Sequence, residues 1–355
     1  MSHRNFACLT LLCACTAPAD EPPEVLARLG APACKLTEIL PPAQLGASER
    51  GAFNSEGRFF AIGTRPAPAG DGASWLVEVV KATGGHAALN YVRGTLEGTR
   101  DGSLEGEPLG DACTFSGMAS HGDLLYLGCF AEDGRASLLQ VDTLAETVRA
   151  GAFTSCSFEP AKEPCEPIAL YPNGMAVDGE GRVYASNTQT FIGPSYSDYS
   201  LVQIDVGACE APKLDFTFRA WLDADLGRDG LAPNGIQIRD QTLYYAGGTN
   251  LNAVPIGEDG SAGEVKVYYR GPLVSMIDDF AILGDQFVIA RALPSDLSRI
   301  DAPARSAREL AACNMPALGM ASSITRAPVE GTFEAGALLV TSWFGGGLYS
   351  LDRLP

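Results

Sequence analysis

Histidine is nearly missing from this chain: three residues in 355, His3, His86 and His121. His3 belongs to the N-terminal leader, and the other two fall in TGGH and SHGD, phrases that read as turns. A Ser-His-Asp relay therefore has no convincing set of partners, and the nucleophile-elbow pattern GxSxG is absent as well. The phosphate-cradling GxxxxGK[ST] is also missing. No cysteines stand at CxxC spacing, which argues against a zinc clamp. Basic residues are few, 25 Lys and Arg against 43 Asp and Glu, for a formal net charge of −18. Such a surface repels phosphate backbones, and no basic patch interleaved with aromatics offsets it, so nucleic acid is not expected as a partner. Past the leader no run of 18 apolar residues occurs, and long segments of helical period are missing too.

Turn residues and short apolar blocks are what the chain does have. Its 40 Gly and 23 Pro suit many short strands, and a hydrophobic content of 46% supplies a large core. Six similar phrases recur, beginning at Glu49, Ser116, Asn173, Asn234, Asp278 and Ser322. Each runs from a small or polar opening through an apolar strand, a Gly- or Asp-containing turn and a second apolar strand. Their first residues are 67, 57, 61, 44 and 44 positions apart, spacing typical of propeller blades. The expected fold is all-β: a six-bladed propeller of four-stranded antiparallel blades around a central channel, spanning residues 34–355. CKLTEIL, from Cys34, has the position and strand character to complete the last blade and remove an open edge. Asp142–Val148 and Ala304–Ala312 are expected as helical turns, and Thr188–Ser200 as a long loop.

In a propeller, residues at one repeat position meet around the axis. Here the meeting set would be Glu49, Ser116, Asn173, Asn234, Asp278 and Ser322, all oxygen donors. Pro172-Asn173-Gly174 and Pro233-Asn234-Gly235 are near copies. Asn-Gly alone reads as a turn. Its recurrence at one repeat position, directly before an apolar strand, gives the alternative of a ligand pair. Amide and carboxylate oxygens together suit calcium, which accepts mixed oxygen ligands. The candidate metal ligands are Glu49, Asn173, Asn234 and Asp278; Asp279 is a second carboxylate or a supporting partner. Ser116 and Ser322 are expected to face the channel and orient a substrate.

The N-terminus reads as an export signal, with Arg4 before an apolar stretch from Phe6 to Ala14. Leu12-Cys13-Ala14-Cys15 is similar to a bacterial lipobox, in which the last Cys receives lipid. Residues 1–15 would then be the signal through a lipidated Cys15, and 16–33 a Pro-rich acidic tether to a cell-envelope membrane. An ordinary secretory signal and an unprocessed N-terminus are the alternatives. Export favours disulfides. Cys156 with Cys165 is the best pair by proximity, Cys113 with Cys129 could join across a hairpin, and Cys34 with Cys313 could tie the entering chain to the last blades.

These phrases resemble the calcium-dependent six-bladed propellers: paraoxonases, gluconolactonases of the senescence marker protein type and strictosidine-synthase-like relatives. Members place an early Glu, PN-type Asn residues and an Asp-Asn-type pair on one catalytic calcium. By that resemblance Glu49, Asn173, Asn234 and Asp278 are the ligands, and Asp279 stands where paraoxonases carry Asn. SNTQTF, from Ser186, resembles a family segment close to the site. The paraoxonase histidines are not matched: Ser116 occupies one position, and the other falls near Cys129-Phe130. A closing cysteine is replaced by Ser350. Leader, donor set and resemblance together give the expectation of an exported monomer that hydrolyses a small lactone or ester by metal-assisted water attack, with Asp278 or Asp279 accepting a proton. The alternative is a non-catalytic binding module with a structural calcium.

Overall fold

The computed structural model describes residues 34–64, 74–93, 114–130, 135–158, 164–188, 199–207, 214–223, 233–272, 275–293, 295–301, 309–314, 320–343 and 345–353. The leader, Cys15 and the tether lie outside these. The chain opens with β1 (Lys35–Leu40) and the single-turn helix α1 (Pro42–Leu45). Blade 1 is β2 (Gly51–Phe53), β3 (Phe59–Thr64), β4 (Ser74–Ala82) and β5 (Gly85–Arg93). Blade 2 is β6 (Thr114–His121), β7 (Leu124–Phe130), β8 (Ala136–Asp142) and β9 (Thr147–Ala152). Blade 3 is β10 (Pro172–Val177), β11 (Val183–Asn187), β12 (Tyr199–Val206) and β13 (Phe216–Asp223). Blade 4 is β14 (Pro233–Arg239), β15 (Thr242–Gly247), β16 (Asn250–Pro255) and β17 (Lys266–Arg270). Blade 5 is β18 (Met276–Leu283), β19 (Gln286–Leu293), β20 (Asp296–Asp301) and β21 (Glu309–Asn314). Blade 6 is β22 (Ala321–Arg326), β23 (Leu338–Ser342) and β24 (Leu348–Arg353), completed by β1 on its outer edge.

This is the expected six-bladed propeller, closed as expected by CKLTEIL: β1 pairs antiparallel with β24, Leu36 opposite Leu351 and Glu38 opposite Tyr349. Apolar residues at alternate strand positions are sandwiched between successive blades. Leu125, Leu127 and Leu139 of blade 2 pack with Phe60, Ile62 and Leu76 of blade 1. Leu348 and Leu339 of blade 6 pack with Phe59 and Val77 of blade 1, which closes the circle. Where the structure describes them, two expected helical turns are not helices; residues 302–308 lie outside the described residues. Residues 143–146 form the tight turn between β8 and β9. Glu309–Asn314 is the outer strand of blade 5, where pairing with β20 overrides the alanine-rich helical propensity.

Hairpins in blades 1 and 3 confirm that the repeats are in register. Asn54 Oδ1 accepts from the backbone of Glu56 and Arg58, and Asp178 Oδ1 accepts from that of Glu180 and Arg182. Each side chain thus builds the same Asx-type turn inside an N/D-x-E-G-R phrase. Asn54 lies five residues after Glu49, and Asp178 five after Asn173. A Cys156–Cys165 disulfide closes a nine-residue separation. Cys34 and Cys129 are also disulfide-bonded. The side chains of Cys113 and Cys313, their expected partners, lie outside the described residues.

Candidate cation cup

Every innermost strand carries one extra residue at the position singled out by the repeats. In β6, Phe115 pairs with Cys129 and Gly117 with Gly128, leaving Ser116 without a partner of its own. In β10, Pro172 faces Asn187 and Met175 faces Ala185, so Asn173 and Gly174 share the single Ser186. In β14, Asn234 and Gly235 share Ala246 in the same way. Asp278 is the extra residue between the Ile277–Arg291 and Asp279–Ala290 pairs, and Ser322 between Ala321–Ser342 and Ser323–Thr341. In blade 1 the Ala47–Thr64 bridge and the Gly51–Ala61 pair leave Ser48, Glu49 and Arg50 opposite only Ile62 and Gly63. Bulges re-aim a side chain at the cost of a ladder position. Six at one level make a ring.

The bulges touch, and this explains the Asn-Gly pairs. A Cβ on Gly174 would lie 2.0 Å from the Asn234 carbonyl oxygen. One on Gly235 would meet Asp279 Oδ1 at 2.3 Å and the Asp278 carbonyl oxygen at 2.8 Å. One on Gly117 would sit 2.5 Å from the Asn173 carbonyl oxygen. Neither Gly174 nor Gly235 has positive φ. The glycines serve close approach of neighbouring blades, and the turn reading of Asn-Gly is corrected.

Asn234 and Asp278 meet side chain to side chain, and Glu49 lies within electrostatic reach of Asp278. Asp278 is 5% exposed; its Oδ1 accepts from Asn234 Nδ2, and its buried Oδ2 has no hydrogen-bond partner among the described residues. Burial, then repulsion from Glu49 and Asp279, raises the Asp278 carboxyl well above the usual carboxylate range. Glu49 is half-buried, and desolvation lifts its carboxyl to about 7, against the attraction of Arg50 and with further repulsion from Asp279. Asn173 is buried on the inner strand between. Asp279 is fully buried and lies 3.1 Å from Arg50, a charge contact sealed from solvent. Burial raises Asp279 also, with Arg50 opposing.

The two serines have a different task from the one expected. Ser116 Oγ donates to the Pro172 carbonyl at 2.8 Å, and Ser322 Oγ donates to the Ser48 carbonyl. Both are buried, at 1% and 3% exposure, and lash each bulge to the next blade. Their hydroxyl protons are committed to that lashing rather than to a substrate. Thr188 Oγ1 does the same to the Pro233 carbonyl at 2.8 Å.

One site residue escaped sequence reasoning. Tyr171 precedes β10, packs in a tilted contact against Phe130 at 4.1 Å between ring centroids, and is held by its backbone N–H to Asn187 Oδ1 at 3.0 Å. Burial and the fields of Glu49 and Asp278 push its phenol above its ordinary value, so it stays protonated beside the carboxylates. The only signal was its place directly before PNG, in the segment facing SNT; Gly174 N–H donates to Ser186 Oγ there at 2.6 Å.

The donor set fits a hard cation: two carboxylates and two amides, with one buried carboxylate oxygen lacking any partner. Among the described residues no three His, Cys, Asp or Glu side chains cluster as a metal cage, so amides would have to share the coordination.

No protein-family model and no curated protein matches the chain. Solved structures do. Luciferin-regenerating enzyme superposes with a TM-score of 0.55 at 11% identity, covering 89% of this chain and 94% of its own. A glucose dehydrogenase-type oxidoreductase from Thermus thermophilus gives 0.52 at 12%, covering 89% and 99%. The extracellular domain of a hybrid two-component system from B. thetaiotaomicron also gives 0.52 at 12%; 90% of this chain spans only 40% of that one. The likeness is one of fold. Among the described residues no helix is long and apolar enough to cross a membrane.

Proposed function

We propose that this chain is an exported calcium-binding propeller that hydrolyses a lactone or ester at the channel cup. The observation that carries this reading is the buried Asp278 Oδ2, without a hydrogen-bond partner among the described residues, on a carboxylate that Asn234 meets and Glu49 and Asp279 repel. Leaving a buried carboxylate oxygen unsatisfied is costly in the absence of a counter-charge. Glu49, Asn173, Asn234 and Asp278 would hold the ion. Calcium would supply Lewis-acid polarisation of a substrate carbonyl.

This chain's own side chains would do the rest. Tyr171 would donate its retained proton to the oxyanion that develops on the carbonyl. Asp279 has no access to the channel and faces Arg50, so its role would be to position rather than to accept a proton. Glu49, half-buried rather than sealed, is the carboxylate better placed to take the proton of the attacking water. The second reading, a binding module with structural calcium, draws on blade 2, where Ser116 offers no acid–base group to the cup.

Turnover of a panel of γ-lactones and aryl esters, with and without a calcium chelator, tests the proposal. Chelator-sensitive hydrolysis is expected, with Tyr171→Phe lowering kcat by about 10²-fold while leaving calcium-dependent stabilisation intact. No turnover across the panel, with calcium still bound, would favour the binding module. Turnover indifferent to the chelator would overturn the assignment of the cup.

A further inference from the structure

Past the ring of bulges the channel opens into a cavity of about 470 Å³, lined by all six innermost strands. In a chain of net charge −18, its wall carries Arg50, Arg239 and Arg326, with no Asp or Glu among the described residues that line it. Val177, Ile238 and Ile282 give the wall its accessible apolar surface, while Met118, Met175 and Ile324 are buried within it. The volume falls within the range of small-molecule sites, about 300–1,000 Å³. Clefts walled by one sign of charge concentrate ligands of the other.

The arginines occupy two levels. Arg50 stands one residue beyond its bulge, Arg326 four beyond Ser322 and Arg239 five beyond Asn234. At about 3.3 Å per strand residue, Arg50 lies roughly 10–13 Å deeper than the other two. Arg50 is 4% exposed; one side of its guanidinium meets Asp279, while its buried Nε has no hydrogen-bond partner among the described residues. Arg239 sits nearer the mouth, donating to the Gly284 carbonyl and lying 3.6 Å from the exposed Asp240 carboxylate. Arg326 is exposed.

We propose that this cavity is a second site, distinct from the cation cup, for an elongated organic anion with a carboxylate at each end. One carboxylate meets Arg50 at the floor, the apolar spacer passes Val177, Ile238 and Ile282, and the other carboxylate meets Arg239 and Arg326 at the mouth. Guanidinium groups suit this task because their planar fork matches a carboxylate. The site does not depend on calcium or on hydrolysis.

Calorimetric titration of the full chain in calcium-free buffer tests it, with azelate, nonanoate, succinate and inorganic phosphate as probes. Azelate, a nine-carbon dicarboxylate, is expected to bind one to one, and nonanoate and succinate each at least about tenfold more weakly, roughly one charge contact. Arg326→Glu, an exposed change that leaves the fold intact by thermal melting, is expected to weaken azelate to a similar extent. The charge-conserving pair Arg50→Gln with Asp279→Asn removes the floor contact without stranding a carboxylate, and should weaken it likewise. Absence of azelate binding, or azelate affinity unchanged in both variants, would overturn the proposal. Phosphate binding as tightly as azelate would reduce the cavity to a point-charge site and overturn the elongated ligand.

Discussion

Glu49 keeps its proton to about pH 7, where a glutamate in water, at 4.5, has lost it. The unfolded chain therefore binds fewer protons than the folded one between those values. Stability must fall as pH rises through that window. Asp278 and Asp279 are displaced in the same direction by the same burial. In calcium-free buffer the melting midpoint is expected to drop from pH 4.5 to pH 7, and on the proposed reading saturating calcium should flatten the decline, because the ion would hold the carboxylates ionised. A calcium-free midpoint that rises across this range would contradict the account. At this scale the shared bulge position of Glu49, Asn173, Asn234 and Asp278 was legible in the sequence because repetition marks a position. Tyr171 was not, since it lies just outside the repeated strand and has no counterpart in other blades. The Arg50–Asp279 contact was hidden too, because it joins blades that are distant along the chain.

At the scale of the strand, the bulge is the device that turns a ladder residue into a channel residue. Alternation and turn residues made the strands readable, but a bulge leaves no local mark, as it is set by the partner strand and the neighbouring blade. Asn-Gly shows the difficulty: the pair looks like a hairpin turn, yet Gly174 is small because the Asn234 carbonyl of blade 4 fills the space where a Cβ would be. Gly174→Ala should destabilise by about 2–3 kcal/mol through overpacking. Gly179→Ala, where a Cβ meets nothing within 4 Å, should be neutral or stabilise by up to about 1 kcal/mol. Urea unfolding of both variants reads the contrast; equal effects would mean that contact between blades does not dictate the glycine.

Over the whole molecule, closure joins the two ends of the described chain in one blade. Leu36 and Leu40 on β1 pair with Leu351 and Leu348 on β24, and Ser322, Thr325 and Thr341 bond across to the carbonyls of Ser48, Gly51 and Glu49. The cup thus includes the seam of the ring. Removing residues through Leu40 strips an edge strand, bares β24 for pairing with other chains, and loosens the Glu49 side of the cup. The truncated chain is expected to self-associate by size exclusion and to lose its sharp melting transition; a monomer that melts as the full chain does would show that blade 6 needs no outer strand. The fold was legible at this scale because the period near 50 residues and the strand character of CKLTEIL both survive in the sequence.

The cup itself is tested most directly by calcium titration followed by thermal melting, comparing the parent chain with Asp278→Asn. A ligand that binds only the folded state raises its midpoint. The parent midpoint should climb with calcium. The variant, relieved of a buried carboxylate repelled by Glu49 and Asp279, should start about 1–2 kcal/mol more stable and show no response to the ion. A parent chain indifferent to calcium, or a variant that responds as strongly as the parent, would contradict the account.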